Sequence, residues 1–139
     1  MRIQEVTLEY IVKDVSNTII FYQTLLGFEL LASEADNGKM SWALMQKGNF
    51  KLSFKSAKKI REEAEYFKSL QIGGTTNLVL KVENLHLAYE KIKTKCELLN
   101  HPHLTPCGQT EFSLKDVNGY FITFEQPMKV ASKAAPSLS

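Results

Sequence analysis

The chain has 139 residues, with 17 basic and 15 acidic side chains and a formal net charge of +2. Its content of 44% hydrophobic and 23% charged residues, with seven Gly and four Pro, is typical of a folded domain and excludes a disordered or collagen-like chain. The charge is too small for the basic field that nucleic-acid binding needs, and the apolar runs are too short for a membrane span of about 20 residues.

The N-terminal residues and the two cysteines indicate the cellular compartment of the protein. The first residues, 1–5, contain no apolar signal core. The two cysteines, Cys96 and Cys107, lack the CxxC spacing of a zinc site and are compatible with a reducing environment. We therefore expect a cytoplasmic protein.

The first half of the chain begins with an alternating segment, 6–12, that predicts a strand. A helix follows, with Ser16 as its N-cap and Gly27 in the left-handed position that ends it. Its apolar stripe consists of Ile19, Tyr22 and Leu26. Three short β-prone runs then follow, at 28–33, 40–45 and 50–54.

The second half repeats this order about 70 residues later. A strand is predicted at 77–82, followed by a helix capped by Asn84 with a stripe of Leu85, Ala88, Tyr89 and Ile92. The later strands are expected at 97–101, 110–115 and 120–125, with Asn118 and Gly119 in a tight hairpin turn. The segment 57–70 predicts a helix between the halves, with Gly73 and Gly74 after it.

These patterns predict an α+β fold made of two βαβββ modules. We expect the modules at 4–55 and 76–127, joined by a linker with a short helix at 56–75, in a single domain spanning 1–127. The polar residues after Pro127 predict a C-terminal tail, 128–139.

The duplicated module resembles the vicinal oxygen chelate superfamily of glyoxalases, bleomycin resistance proteins and extradiol dioxygenases. The resemblance rests on Phe21-Tyr22, on 26–29 (LGFE) and on 111–120, which contains Glu-Phe followed by Asp-x-x-Gly. It implies two curved four-stranded mixed sheets, each with a helix on its convex face and a ligand cleft on its concave face. It also implies a homodimer.

The resemblance further implies where a metal would bind in this superfamily. Metal-dependent members hold a divalent ion with His, Gln or Glu from four strand positions. In this chain those positions are Thr7, Lys51, Asn77 and Thr123. None is a strong ligand, and the Lys51 ammonium group would repel a cation. We therefore expect neither a metal nor another cofactor.

Strand alternation predicts the residues of the cleft. The candidates are Thr7, Glu9, Lys51, Ser53, Asn77, Glu111, Thr123 and Glu125. One interpretation is that these charged side chains orient a polar or cationic ligand. The other is that Lys51 pairs with Glu9 or Glu125 and fills a cavity that has lost its use.

Three other features are interpreted as structural. Trp42 is in phase with Met40 and Leu44, which predicts packing beneath the helix. His101 and His103 have no third ligand nearby and predict a polar strand end. Cys107, in a turn after Pro106, has no His at a short spacing to activate it and predicts an ordinary thiol.

Three functions follow as hypotheses. The first is a metal-independent small-molecule-binding protein similar to the bleomycin resistance proteins, sequestering a drug or toxic metabolite; Cys107 replaces the aromatic residue that those proteins carry before Gly108. The second is a metal-dependent lyase, isomerase or dioxygenase, with Glu9 or Glu125 as ligand or base. The third is a dimeric interaction module with a vestigial cleft. The sequence identifies no catalytic residue, and whether the protein is an enzyme stays open.

Overall fold

The computed structural model describes residues 1–127, and the predicted tail 128–139 lies outside the described residues. The α+β class and the repeated β-α-β order are confirmed. The elements in chain order are β1 (Leu8–Val12), α1 (Val15–Leu26), β2 (Glu29–Asp36), β3 (Lys39–Lys47), β4 (Phe50–Ser56), α2 (Ala57–Glu63), β5 (Asn77–Lys81), α3 (Leu85–Ile92), β6 (Glu97–Leu98), β7 (His103–Leu104), β8 (Gln109–Lys115) and β9 (Phe121–Pro127).

Contacts divide the chain into two compact units. The first unit comprises Met1–Gly74 and Asp116–Tyr120, and the second comprises Thr75–Lys115 and, within the described residues, 121–127. The loop between β8 and β9 therefore belongs to the first unit, although both strands belong to the second. The single domain at 1–127 and the boundaries of the modules stay predictions.

The first unit contains a curved sheet in the order β1-β4-β3-β2. β1 runs parallel to β4, and the other pairs are antiparallel. Because side chains alternate along a strand, one face of the sheet is apolar and packs on α1. The buried residues of this face are Tyr10, Val12, Ala43, Met45, Leu52 and Phe54.

The N-cap of helix α1 lies two residues before the predicted one. Asp14, with extended backbone, accepts a 2.9 Å hydrogen bond from the Asn17 N–H through Oδ1. The prediction of Ser16 as N-cap was wrong because the Asp14 carboxylate already satisfies a free N–H of the first turn, which leaves Ser16 inside the helix. Gly27, at φ 73°, ends the helix as predicted.

The second unit contains a sheet in the order β5-β9-β8-β6, with β7 also paired to β8. Helix α3, capped by Asn84 as predicted, covers its apolar face. The Phe112 and Phe124 rings stack there at 4.8 Å between centroids, and the Tyr89 ring meets Phe112 edge-on at 5.2 Å.

The predicted strand 97–101 is shorter, Glu97–Leu98, and a separate short strand, His103–Leu104, follows it, which gives this sheet five strands. Pro102 has no N–H to donate, so the ladder cannot continue through it. Leu99 N–H still donates to Ser113 O at 2.9 Å, and Asn100 Oδ1 accepts from Ser113 N–H at 2.8 Å. The chain therefore stays attached to β8 between β6 and β7.

The linker helix is shorter than the predicted 57–70. Helix α2 ends at Glu63, because Ala64 adopts an extended conformation (φ −152°, ψ 140°), and a single 3-10 turn, Glu65–Phe67, follows. Ile60 is buried, as its spacing suggests. None of the helices within residues 1–127 has the length and apolar character needed to cross a bilayer.

Candidate functional site

The open face of the first sheet, opposite α1, carries polar predicted site residues. Glu9 pairs in register with Ser53, and Ser53 with Leu44, so these three side chains project on the same side. The Ser53 hydroxyl is buried and donates a 3.1 Å hydrogen bond to Glu9 Oε2. The Glu9 residue itself is exposed, and no cationic side chain within residues 1–127 forms an ion pair with it.

Lys51 and Thr7 lie at the start of this face. The Lys51 ammonium group forms an ion pair with the carboxylate of Glu5. The interpretation that Lys51 neutralises Glu9 was wrong, because Glu5, on the segment before β1, is the carboxylate that it contacts. Thr7 is exposed and immediately precedes β1.

In the second unit, two predicted cleft residues, Asn77 and Thr123, are joined by hydrogen bonds to each other and to Ser113. The Thr123 hydroxyl donates to Asn77 Oδ1 at 2.9 Å. Ser113 Oγ lies 2.7 Å from Thr123 Oγ1, and since Thr123 has only one proton to donate, Ser113 is the donor of this bond. The result is a chain of bonds from Ser113 through Thr123 to Asn77.

A row of charged residues crosses the open face of the second sheet. In register, Lys81 is opposite Glu125, Glu125 is opposite Glu111, and Glu111 is opposite His103. His103 Nε2 lies 4.0 Å from Glu111 Oε2, the outer limit of an ion pair. Two carboxylates directly opposite each other repel, and a bound cation would relieve that repulsion.

Trp42 lies on the open face of the first sheet, so its predicted place beneath the helix was wrong. Its register partners are Glu34 and Lys55, while the neighbouring Ala43 and Met45 are buried on the α1 side. The small Ala43 and the flexible Met45 set the phase of β3, and alternation then turns the half-buried Trp42 to the other face. Trp42 lines a 230 Å³ cavity together with Glu34, Ser41, Lys55, Lys59 and Glu63.

The four positions that the resemblance assigns to a metal do not fit a divalent ion here. Lys51 is positively charged and engaged with Glu5, while Asn77 and Thr123 are bonded to each other. Within residues 1–127, His, Cys, Asp and Glu side chains form no group of three or more that could hold a metal ion. The donor set supports no metal-centred step.

The histidines and the exposed cysteine have separate environments. His101 Nδ1 lies 2.7 Å from the Tyr89 hydroxyl, and His103 Nδ1 lies 2.8 Å from His101 O. The Nδ1 atoms of the two imidazole rings therefore form hydrogen bonds with different partners. Cys107 is exposed in a turn that Gly108 N–H closes with a 3.0 Å bond to Thr105 O.

The loop Asp116–Tyr120, at the end of the motif 111–120, contacts the Phe21-Tyr22 motif through a hydrogen bond from Tyr22. Its turn is closed by Gly119 N–H donating to Asp116 O at 3.1 Å, with Gly119 at φ 87°, in agreement with the predicted hairpin turn. The buried Asp116 carboxylate also accepts a hydrogen bond from the Tyr22 hydroxyl group. The sequence pattern identified both residues but contained no signal that they are partners.

The same loop makes further contacts with the rest of the first unit. The Asn118 amide donates to Thr18 Oγ1 at 3.0 Å, and the Tyr120 hydroxyl donates to Ile11 O at 2.6 Å. The Tyr120 ring stacks on Tyr10 at 4.4 Å between centroids. All these groups are engaged within the protein, so we assign the loop to structure and the open faces to ligand contact.

Comparison with known proteins agrees with this fold. Residues 2–124 match the family model of the Glyoxalase/Bleomycin resistance protein/Dioxygenase superfamily, and the chain belongs to that superfamily. No curated protein matches the chain.

Three solved structures illustrate the similarity of fold. A glyoxalase/bleomycin resistance protein/dioxygenase from Nocardioides is 19% identical with a TM-score of 0.75, and the match covers 93% of this chain and 86% of that one. TioX from Micromonospora sp. ML1 is 16% identical (TM-score 0.68; 90% and 99% covered). TnmS3, an antibiotic-binding protein from Streptomyces sp. CB03234, is 20% identical (TM-score 0.67; 91% and 98% covered).

Proposed function

We propose that the open face of each sheet binds a small organic cation, and that neither face requires a metal to do so. The observation that carries the proposal is the pair of opposed carboxylates, Glu111 and Glu125, in the second unit. A third carboxylate, Glu9, stands on the open face of the first sheet with Ser53 as a hydrogen-bond donor. A cationic ligand on either face would reduce the repulsion between the negative charges of that face.

The half-buried Trp42 adds an aromatic surface to the first face. Glu34 and Lys55 flank it in register, and Lys55 is already paired with Glu63 at 3.0 Å. Glu34 forms no ion pair within the described part of the chain. A cation beside an indole ring gains both electrostatic and stacking energy. This favours an aromatic or heterocyclic amine as the ligand.

Binding without a metal is supported by the chemistry of the superfamily's ligand positions. An ammonium group, two hydroxyl groups and one amide occupy them, and each of Lys51, Asn77 and Thr123 already has a protein partner. Sequestration of a toxic compound needs occupancy and no reaction. TnmS3, which is similar in fold, is an antibiotic-binding protein, and this supports a binding role for the present chain.

Calorimetric titration of the full chain with aromatic amines tests the proposal, using their neutral N-acetyl counterparts as matched probes. We expect amines to bind and the acetylated compounds not to bind. Glu125→Gln should weaken amine binding on the second sheet by about 10-fold, equivalent to about 1.4 kcal/mol. The control Glu83→Gln removes the same charge from an exposed loop residue and should leave the affinity unchanged. Equal binding of the neutral compounds would overturn the proposal.

Elemental analysis of protein purified without chelator separates this proposal from a metal-dependent lyase, isomerase or dioxygenase. We expect substoichiometric nickel, zinc, manganese and iron, and no change in melting temperature with EDTA. One bound ion per chain that is lost in the Glu9→Gln or Glu125→Gln variant would favour the enzyme.

We further propose that the protein is a homodimer in the cytoplasm. The segment before and at the start of β1 exposes three apolar side chains, Ile3, Val6 and Leu8, that a second copy could cover. Light scattering after size-exclusion chromatography should give twice the 15.8 kDa chain mass. If the mass is that of a dimer but no compound shifts the melting temperature, the interaction module becomes the better hypothesis.

A further inference from the structure

A second cavity in the first unit is lined mainly by basic residues, whereas the carboxylates on the open sheet faces are acidic. It measures about 620 Å³ and lies between the loop after β1, helix α2 and the linker that follows. None of its lining residues belongs to the predicted cleft. Its charged lining consists of four basic residues, Lys13, Lys58, Arg61 and Lys68, and one acidic residue, Glu62.

The positive charge of this basic cavity is only partly neutralised. Lys58 and Glu62 are 4.0 Å apart, both largely exposed, so their interaction is weak. Lys68 pairs with Glu65 at 3.3 Å, also at the surface. Within residues 1–127, neither Lys13 nor Arg61 forms an ion pair. Two cations therefore face the cavity without a protein counter-charge.

Arg61 provides an independent indication that an acceptor belongs near this wall. Its Nη2 donates a 2.7 Å hydrogen bond to Leu70 O, which fixes the guanidinium group against the linker. Its Nε is buried and has no hydrogen-bond partner. A buried donor without an acceptor is unfavourable in folded proteins, and a ligand that brought an acceptor to this wall would remove that cost.

The remaining lining residues, Ala57 and Ile72, are apolar. They give the cavity a surface for a hydrocarbon group beside its cations. The volume falls in the range of small-molecule sites, about 300–1,000 Å³. Lysine ammonium groups bind phosphate as point charges, and a guanidinium group binds it with directed donors.

We propose that the basic cavity binds a small organic phosphate, with its phosphate group between Lys13 and Arg61 and its organic group against Ala57 and Ile72. Binding here is independent of the amine proposed for the open faces, because the two sites share no residue and prefer opposite charges. The protein would thus have a second ligand site that responds to phosphorylated metabolites.

Calorimetric titration of the full chain with phenyl phosphate at low salt tests this assignment, with phenol and inorganic phosphate as partial probes. We expect one phenyl phosphate per chain, weaker binding of inorganic phosphate, and no binding of phenol. Raising the salt should weaken phenyl phosphate binding, because the interaction is between charges.

The variants are Lys13→Gln and Arg61→Gln, with Lys95→Gln as a control that removes an exposed lysine of the second unit. We expect each cavity variant to lose about 10-fold in affinity, while Lys95→Gln and Glu125→Gln keep the parent value. Lys13 is exposed, so its variant stays informative even if Arg61→Gln unfolds.

Two results would overturn the assignment. One is phenyl phosphate binding that Lys95→Gln weakens as much as Lys13→Gln, which would mean a response to overall charge. The other is an absence of phenyl phosphate binding to the folded parent protein at millimolar concentration. A failed amine titration would contradict the proposed function but would not affect the phenyl phosphate result, so the two proposals are tested independently.

Discussion

The Tyr22 hydroxyl donates a 2.6 Å hydrogen bond to Oδ2 of Asp116, a residue 94 positions further along the chain. The other carboxylate oxygen, Oδ1, accepts the backbone N–H groups of Asn118 at 2.8 Å and Tyr120 at 2.9 Å. Three donors therefore compensate the burial of one negative charge. Burial, followed by the Asp116 charge, raises the pKa of Tyr22 far above its usual range.

This raised pKa predicts a loss of stability in alkali. The folded state keeps the Tyr22 proton at a pH where the unfolded chain, with a tyrosine pKa near 10, releases it. The contribution is complete below about pH 10 and decreases above it by about 1.4 kcal/mol per pH unit. Urea unfolding from pH 8 to 11 should show a steeper decline for the parent than for Tyr22→Phe. Parallel curves would contradict the assignment.

Gly73 should tolerate no side chain, because the chain passes directly over the Asp116–Tyr120 loop there. A Cβ atom on Gly73 would lie 2.5 Å from Asn118 O, a backbone atom that cannot swing aside. We expect Gly73→Ala to lower the free energy of unfolding by about 2–4 kcal/mol, the sum of backbone strain and overlap.

Gly74→Ala is the matched control for Gly73→Ala. Gly74 also has positive φ, 67°, but a Cβ atom there meets nothing within 4 Å. Its cost should be the backbone strain alone, about 1–2 kcal/mol. Equal costs in chemical denaturation would show that the close approach to Asn118 contributes nothing.

Trp42 should report ligand binding on the first open face. It is the single tryptophan of the chain and lies half-buried between Glu34 and Lys55. An aromatic amine bound there should change its emission, with a saturation curve that matches the calorimetric affinity. In Trp42→Phe the optical signal disappears and the affinity falls by a few-fold. Calorimetric binding with constant emission would place the ligand away from Trp42.

The hydrogen-bond chain in the second unit should contribute a modest amount to stability. Thr123→Val keeps the shape but removes the hydroxyl that joins Ser113 to Asn77. We expect a loss of about 1 kcal/mol in thermal or chemical unfolding, because the exposed Asn77 can turn to water. Thr94→Val, at an exposed loop position, is the control and should change stability by less than about 0.5 kcal/mol. Identical effects would contradict the assigned bonds.

Local patterns in the sequence were sufficient for the order of elements and for several ends of helices. Gly27 and Asn84 were identified correctly because their roles depend on neighbouring backbone alone. Ser16 was misassigned because Asp14, two residues before it, is an equally good cap, and only the local backbone decides between them. The strand at 97–101 was overextended, because regular pairing ends at Leu98 and the Asn100 side chain, not a strand carbonyl, accepts the Ser113 N–H of the partner strand.

The candidate site was less predictable, because it depends on contacts between distant residues. Alternation placed Glu9 and Ser53 on one face correctly, but the phase of β3 was read from Trp42 instead of Ala43 and Met45. Pattern alone cannot decide which of two apolar series packs on a helix. The contact of Lys51 with Glu5 likewise depends on the path of a segment outside any strand.

The position of the Asp116–Tyr120 loop has a consequence for synthesis of the chain on the ribosome. The first unit needs this loop to supply the acceptor for Tyr22 and the ring that stacks on Tyr10. A nascent chain that has reached only Gly74 holds Tyr22 without its acceptor. The N-terminal half of the protein therefore cannot finish folding until nearly the whole described chain has emerged, so translation order gives it little advantage over the C-terminal half.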